Sequence, residues 1–217
     1  FIIETCQNSG CRLLIHDDLA QRLNHPLITV SEEGHNFFTL QEEPLEDPLN
    51  RTVKRIMDIA LAIPVVFIVL PLMFLIIWIV QRFQAPGKLL FTQQRTGYGQ
   101  NSFRIYKFRS MYEQGTKAPS ESLQATRTDD RVYPFGGFLR TYSLDEFPQF
   151  VNVLKGEMSI VGPRPHLVAH DGEFEKEMSG YKTRFFVKPG ITGLAQCNGL
   201  RGEITNVSLL SKRVKMD

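Results

Sequence analysis

The sequence predicts an α+β chain: a bent, membrane-embedded helix, then a small α/β domain, with the end of another soluble α/β unit ahead of both. Three observations predict it. Residues 59–80, IALAIPVVFIVLPLMFLIIWIV, run for 22 residues with no charge and with two prolines. Strand-type apolar runs and amphipathic helical patterns intermingle after that stretch. Before it, strand, helix and strand patterns follow one another within residues 1–50. The expected organisation is residues 1–50 as soluble α/β unit plus linker, 51–84 as membrane helix, and 85–217 as globular domain.

In the first segment, FIIET, CRLLI and LITV read as short strands, and HDDLAQRL as a short helix capped by Asp17 or Asp18. Cys6, Cys11, His16 and His25 have no metal-ligand spacing, so packing or solvent exposure is the expected state of each. Three cysteines, with Cys197 as the third, form no disulfide framework and fit a reducing compartment. The acidic, proline-bearing residues 42–50 suit a linker. A first residue of Phe1 rather than Met leads us to expect a piece of a longer protein. The net charge of +2 offers no case for nucleic acid.

As a straight helix, residues 59–80 would reach about 33 Å against a bilayer core of about 30 Å. Pro71 sits mid-run, and proline removes an intrahelical donor while crowding the preceding turn. Arg51, Lys54 and Arg55 precede the run, and Arg82, Lys88 and Arg95 follow it. A spanning helix carries its excess of positive charge on one side. Basic residues at both ends favour a helix that enters the membrane, breaks near Pro71 and returns to the same face. A true span and a buried core helix stay open on these grounds.

After the run, 85–87 form a turn, and LLFTQQR (89–95) and FRIYKF (103–108) read as two strands joined by a glycine loop. Alternation puts Lys107 and Arg109 on one face, as an anion clamp or a solvated edge. Residues 113–131 read as a polar surface loop that closes on an Asx-type turn at Asp129. SLDEFPQFVNVLKG (143–156) reads as a helix with Ser143 as N-cap, Glu146 in the capping box and Gly156 as the stop. Asp145 in its first turn, near Arg140, suits a nucleophile or a metal ligand. SIVGPRP (159–165) is a strand ending in Arg164, stiffened by Pro163 and Pro165, which suits bidentate phosphate binding or a plain surface position. Residues 173–186 read as one amphipathic helix with Phe174, Met178, Tyr181 and Phe185 facing a core or lipid.

Taken in order, KRIMD (54–58), YKFRSM (106–111), LRTYSLDEFPQ (139–149), MSIVGPRP (158–165) and VKPGITGLAQ (187–196) resemble the bacterial sugar transferases, the monotopic phosphoglycosyl transferases. The resemblance covers about 54–217. It implies transfer of a sugar phosphate from a UDP-sugar to polyprenyl (undecaprenyl) phosphate, with release of UMP, to start exopolysaccharide or O-antigen synthesis. It implies a re-entrant helix-break-helix at Pro71 and a catalytic α/β domain on the cytoplasmic face of the bacterial inner membrane. The unit ahead of it then resembles the end of a nucleotide-binding-like domain.

By the same resemblance Asp145 and Glu146 are the catalytic dyad, with Mg2+ as cofactor held by this pair. Lys107, Arg109, Arg140, Pro163, Arg164, Pro165 and Asp217 are expected at the substrate. Magnesium and the cations would offset the like charges of a carboxylate attacking a diphosphate. NGLRGE (198–203) resembles members that transfer hexose phosphates, which favours UDP-glucose or UDP-galactose. Leu70 before Pro71 and Cys197 depart from the family pattern, and the family continues past Asp217. A glycosyltransferase releasing UDP, a membrane-tethered nucleotide-sugar binding module without catalysis, and a homo-oligomer remain open.

Overall fold

The computed structural model describes residues 18–23, 27–32, 34–39, 44–45, 47–113, 129–178, 180–200, 202 and 207–217. The chain divides into two compact units, Phe1–Asn50 and Arg51–Asp217. The expected strands FIIET and CRLLI and the residues Cys6, Cys11, His16 and His25 lie outside the described residues, as does most of the 113–131 loop.

In the first unit a short helix α1 (Leu19–Leu23) carries an Arg22–Asp18 ion pair of 2.7 Å. Strands β1 (Ile28–Glu32) and β2 (His35–Thr39) form an antiparallel hairpin, with Gly34 at φ +82° where the chain reverses. Asp47 then accepts the Leu49 amide at 2.8 Å, and Pro48 opens the long helix. A side-chain acceptor followed by proline is a helix start: one unpaired N–H is capped and another is absent.

Pro48–Gln84 is one continuous helical run of 37 residues that contains the whole apolar stretch. It consists of α2 (Pro48–Pro64), one stretch of π-helix (Val65–Val69) and α3 (Leu70–Gln84). Pro71 does not end the helix; the irregularity lies in the turns before it. There the Leu70 amide donates to the Val65 carbonyl, five residues back. A widened turn relieves the clash that a proline ring makes with the carbonyl four residues earlier.

Within the second unit one stripe of this helix is buried: Asp58, Ala62, Leu70, Ile77 and Gln81. Phe67, Leu72, Leu75, Trp78 and Phe83 on its other faces are exposed. Both ends of the stripe are tied to the same domain. Near its start, Arg55 donates to the Val153 and Leu154 carbonyls at 2.6 and 2.9 Å. Asp58 accepts the Ser159 hydroxyl and the Ile160 amide, each at 3.0 Å. Near its finish, Gln81 donates to the Arg109 carbonyl and the Tyr133 hydroxyl, each at 2.8 Å. Between these ties lie two apolar clusters, Ala62 with Ile105, Val153 and Met158, and Leu70 and Ile77 with Phe108 and Leu139.

The domain itself begins with an antiparallel pair, β3 (Leu90–Thr96) and β4 (Ser102–Phe108), registered Leu90 to Phe108. Helix α4 (Pro134–Thr141), a 3-10 turn (Leu144–Glu146) and helix α5 (Gln149–Lys155) follow. Gly156, at φ +84°, stops α5 as expected. Gly136 lets α4 touch the chain after β4; a Cβ there would sit 2.1 Å from the Ser110 carbonyl oxygen. Strands β5 (Ser159–Val161) and β6 (Gly190–Thr192) pair in parallel.

The helix expected over 173–186 is two pieces, α6 (Val168–Glu177) and a 3-10 helix (Tyr181–Phe186), separated where Gly180 adopts φ +82°. Its apolar stripe faces protein: Tyr181 and Phe185 pack with Phe174 and Met178 on Leu210 of the last helix, α8 (Val207–Met216). A short helix α7 (Leu194–Cys197) follows β6.

Arg109 corrects the expectation of an anion clamp. Its guanidinium donates to the Lys88 carbonyl at 2.5 Å, to the Met111 carbonyl at 2.9 Å and to the Ala85 carbonyl, and approaches the Gln81 amide oxygen at 3.4 Å. It is a buried clasp between the end of α3 and the end of β4. Lysine keeps the charge but not the fork of donors. Arg109→Lys should therefore cost about 2–3 kcal/mol of stability in chemical unfolding. A variant as stable as the parent would show that the clasp is dispensable.

Candidate active site

Strand β4 presents Lys107, and α5 braces that strand through one buried amide. Asn152 donates to the Arg104 carbonyl at 2.8 Å and to Glu157 at 2.7 Å, and accepts the Tyr106 amide at 3.3 Å. Lys107 thereby meets Glu146 at 2.9 Å. Arg164 reaches the same carboxylate from the β5 side with two bonds, 2.6 Å to one oxygen and 3.2 Å to the other. Glu146 is only 7% exposed, so the cluster is a buried acid between two cations. Burial pushes its carboxyl up, but the Lys107 and Arg164 charges and their hydrogen bonds outweigh that and hold it well below the usual carboxylate range.

Glu146 therefore does not close a capping box. Ser143 makes no side-chain cap and sits in the left-handed region at φ 57°. That backbone, uncommon for serine, turns the chain sharply so that a 3-10 turn, not the first turn of a helix, carries the dyad.

Asp145 differs from its neighbour. It is half-buried, and no described residue donates a hydrogen bond or an ion pair to its carboxylate. Burial pushes its carboxyl above the ordinary value, while the Lys107, Arg140 and Arg164 charges pull it back down in part. Arg140, in the last turn of α4, acts here through its field. Two adjacent acids thus occupy opposite electrostatic states, one tightly paired and one free.

Arg164 is held by its own backbone. Pro163 accepts the Gly190 amide at 2.8 Å, Pro165 accepts Arg95 at 3.4 Å, and the Arg164 carbonyl accepts Arg184 at 2.5 Å. Arg184 also pairs with Asp217 at 3.0 Å, both side chains being almost fully covered. Asp217 therefore stands behind the Arg164 loop and not beside Glu146. Behind the loop, the Tyr181 hydroxyl donates to Asp171 at 2.5 Å and meets His166 at 2.6 Å, and Thr96 also donates to Asp171. Burial and then the charges of Arg184, Arg213, Arg95 and Arg164 keep His166 well below its usual pKa, hence neutral.

Arg95 and Arg184 are the members that sequence reasoning missed. Arg95 lies near enough to Glu146 and Arg164 to feel both; burial first and Arg164 second lower it to about 10. Strand alternation placed it no differently from any other surface position. Arg184 lay inside an expected lipid- or core-facing helix, with no local signal of an ion pair to a residue 33 positions away.

Beside Glu146 opens a cavity of about 380 Å³ whose walls include Tyr142, Phe147, Phe150, Thr192 and Gln196. The Gln196 amide donates to the Ile191 carbonyl at 3.1 Å, while its oxygen is buried with no hydrogen-bond partner. Among the described residues no group of three or more His, Cys, Asp or Glu side chains converges as a ready metal cage. A divalent ion at this place would draw on the free Asp145 carboxylate, on the remaining lone pairs of Glu146 and on oxygens of a ligand. That donor set fits magnesium, which takes one or two carboxylates plus phosphates and water.

The family model described as bacterial sugar transferase matches residues 49–217. A UDP-glucose:undecaprenyl-phosphate glucose-1-phosphate transferase of Escherichia coli (strain K12) is 44% identical over 178 residues, covering 82% of this chain and 38% of the relative. A protein of the same name from Xanthomonas campestris pv. campestris is 45% identical over 167 residues, covering 76% and 34%. A UDP-N-acetylgalactosamine-undecaprenyl-phosphate N-acetylgalactosaminephosphotransferase of Aeromonas hydrophila is 40% identical over 152 residues, covering 70% and 35%. The chain spans little more than a third of the length of these relatives.

Proposed function

Because the chain belongs to the bacterial sugar transferase family, we propose that it transfers a sugar 1-phosphate from a UDP-sugar to undecaprenyl phosphate and releases UMP. Glucose is the favoured sugar, since the relatives of 44% and 45% identity are named for UDP-glucose. The observation that carries the reading is the unequal pair: an unpartnered Asp145 next to a Glu146 already neutralised by Lys107 and Arg164.

In the first step an Asp145 oxygen attacks the phosphorus that bears the sugar. The bond from that phosphorus to the bridging oxygen breaks, and UMP departs with the electron pair. The product is an aspartyl phosphosugar. In the second step a phosphate oxygen of the lipid attacks the same phosphorus, and the Asp145 carboxylate leaves unchanged. No net proton is consumed in either step. Covalent catalysis of this kind divides one difficult transfer into two.

Lys107 and Arg164 stand where negative charge gathers, and they are fixed before substrate arrives: one by the Asn152-braced strand, the other by the Arg184–Asp217 pair. Preorganised cations stabilise a developing phosphoryl charge without reorganising. Magnesium, when bound at Asp145 and Glu146, would add Lewis-acid neutralisation of the phosphoryl oxygens.

Both ends of the apolar run are tied to one domain, at Asp58 and at Gln81. That supports a re-entrant helix whose exposed face lies in lipid, with the domain on the cytoplasmic side of the inner membrane. A span would carry its two ends to opposite faces.

The test is a trapping experiment. Incubation with UDP-glucose labelled in the sugar, without lipid, should leave label on the protein in an amount bounded by one per chain. Addition of undecaprenyl phosphate should discharge it. Full turnover with no trapped label would exclude the two-step scheme, and release of UDP instead of UMP would exclude phosphosugar transfer.

A further inference from the structure

Helix α4 has two faces of opposite character. Gly136 and Leu139 are buried, whereas Phe135, Phe138 and Tyr142 follow one another at i, i+3 and i+7, the spacing of a single helical face, with Phe135 half-buried against the Leu70 and Ile77 cluster and the other two exposed. Their rings form a ladder: centroids 5.7 Å apart and nearly parallel for Phe135 and Phe138, then 4.9 Å apart for Phe138 and Tyr142. Phe138 is 48% exposed and Tyr142 is 65% exposed. Packing in the domain explains neither.

The two ends of the ladder define what it connects. At one end the Phe135 amide donates to Gln84, the last residue of the membrane helix, at 3.0 Å. At the other end Tyr142 lines the cavity that Glu146 also lines. An apolar track about 10 Å long therefore joins the end of the apolar helix to the cavity beside Glu146.

We infer that this face of α4 is the path by which the isoprenoid chain of the lipid acceptor reaches the active site, its phosphate at Asp145 and its first isoprene units laid over Tyr142, Phe138 and Phe135. This rests on the transfer reaction proposed above. The chemistry of the occupant follows from the surface: flat apolar rings with no charge among them, continuous with the membrane helix, suit a branched hydrocarbon. Nucleotide phosphates would find no cation on these three rings and a single hydroxyl donor, that of Tyr142. A bilayer surface alone would not need the ladder to end in the wall of the cavity beside Glu146.

Phe138 is the discriminating position, because it is exposed and lines neither the cavity nor the core. Phe138→Gln should raise KM for undecaprenyl phosphate about tenfold, from loss of apolar cover over the ring. Phe138→Leu should restore most of it. In Phe138→Gln, trapping of label from UDP-glucose without lipid should stay at the parental level, as should partition into vesicles. The preference for undecaprenyl phosphate over a one-isoprene phosphate should shrink by a similar factor, since the short acceptor cannot reach Phe138.

An unchanged KM for the long acceptor would overturn the inference. So would an equal loss on long and short acceptors, or a loss that tracks membrane partition, because either assigns Phe138 to anchoring or folding. Turnover in the parent protein with no such discrimination leaves the proposed reaction standing and removes only the track. Absence of any sugar-phosphate transfer by the parent would remove both.

Discussion

Asp145→Asn should lower turnover by a factor on the order of 10³ or more, while UDP-sugar binding survives and the protein becomes more stable at neutral pH. Loss of rate follows if the carboxylate oxygen is the nucleophile, because the amide offers no equivalent. The gain in stability follows from burial. Asp145 has a folded-state pKa above its ordinary value, with desolvation as the main cause. A carboxyl raised in this way contributes stability that is fully present below its unfolded pKa of about 3.9 and is lost as pH rises through the folded value. At pH 7 the ionised side chain is thus a burden on the fold, which asparagine removes.

Thermal unfolding of parent and variant should therefore diverge in favour of the variant near neutrality and converge below about pH 4. A variant with parental rates, or one less stable than the parent at pH 7, would contradict this account of Asp145.

Glu146→Gln should act in the opposite direction on stability. Glu146 is buried and shared by Lys107 and Arg164, so its removal leaves two cations without their counter-charge. Breaking such a buried pair costs about 3–5 kcal/mol. The pH dependence also inverts. A carboxyl held below its ordinary value contributes stability present above its unfolded pKa of about 4.3 and lost as pH falls.

Chemical unfolding at pH 7 should show the loss, and the double variant Glu146→Gln with Lys107→Met should recover part of it, a coupling that distant sites lack. Additive losses would mean that the ion pair is not the reason. Asp145 and Glu146 are thus expected to separate under mutation: one trades stability for chemistry, the other supplies stability to the site.

Strands β3, β4 and β5 were legible because alternation and turn residues are local signals; the expected runs 89–95 and 103–108 fall within one or two residues of the strands observed. The long apolar run was legible for the same reason. Its shape was not: whether Pro71 breaks a helix or widens a turn depends on which carbonyl can move, and the neighbouring residues decide that. Arg109 shows the limit most clearly. Alternation put it on the face of Lys107, but beyond Phe108 the strand has ended, and four acceptors around the end of α3 capture the guanidinium. Ser143 failed as a cap because its backbone turns left-handed, a conformation that serine does not signal.

By itself the order of residues determined the kinds of groups available here: an apolar run long enough for lipid, an Asp-Glu pair, and arginines and a lysine in separate short motifs. Those are matters of composition and near-neighbour spacing, which a chain carries with it whether folded or not. Only the tertiary structure decided that Lys107 and Arg164, 57 positions apart in number, close on one carboxylate and leave the adjacent one free. Charge–charge energies depend on distance and burial, and both are set only when the elements pack.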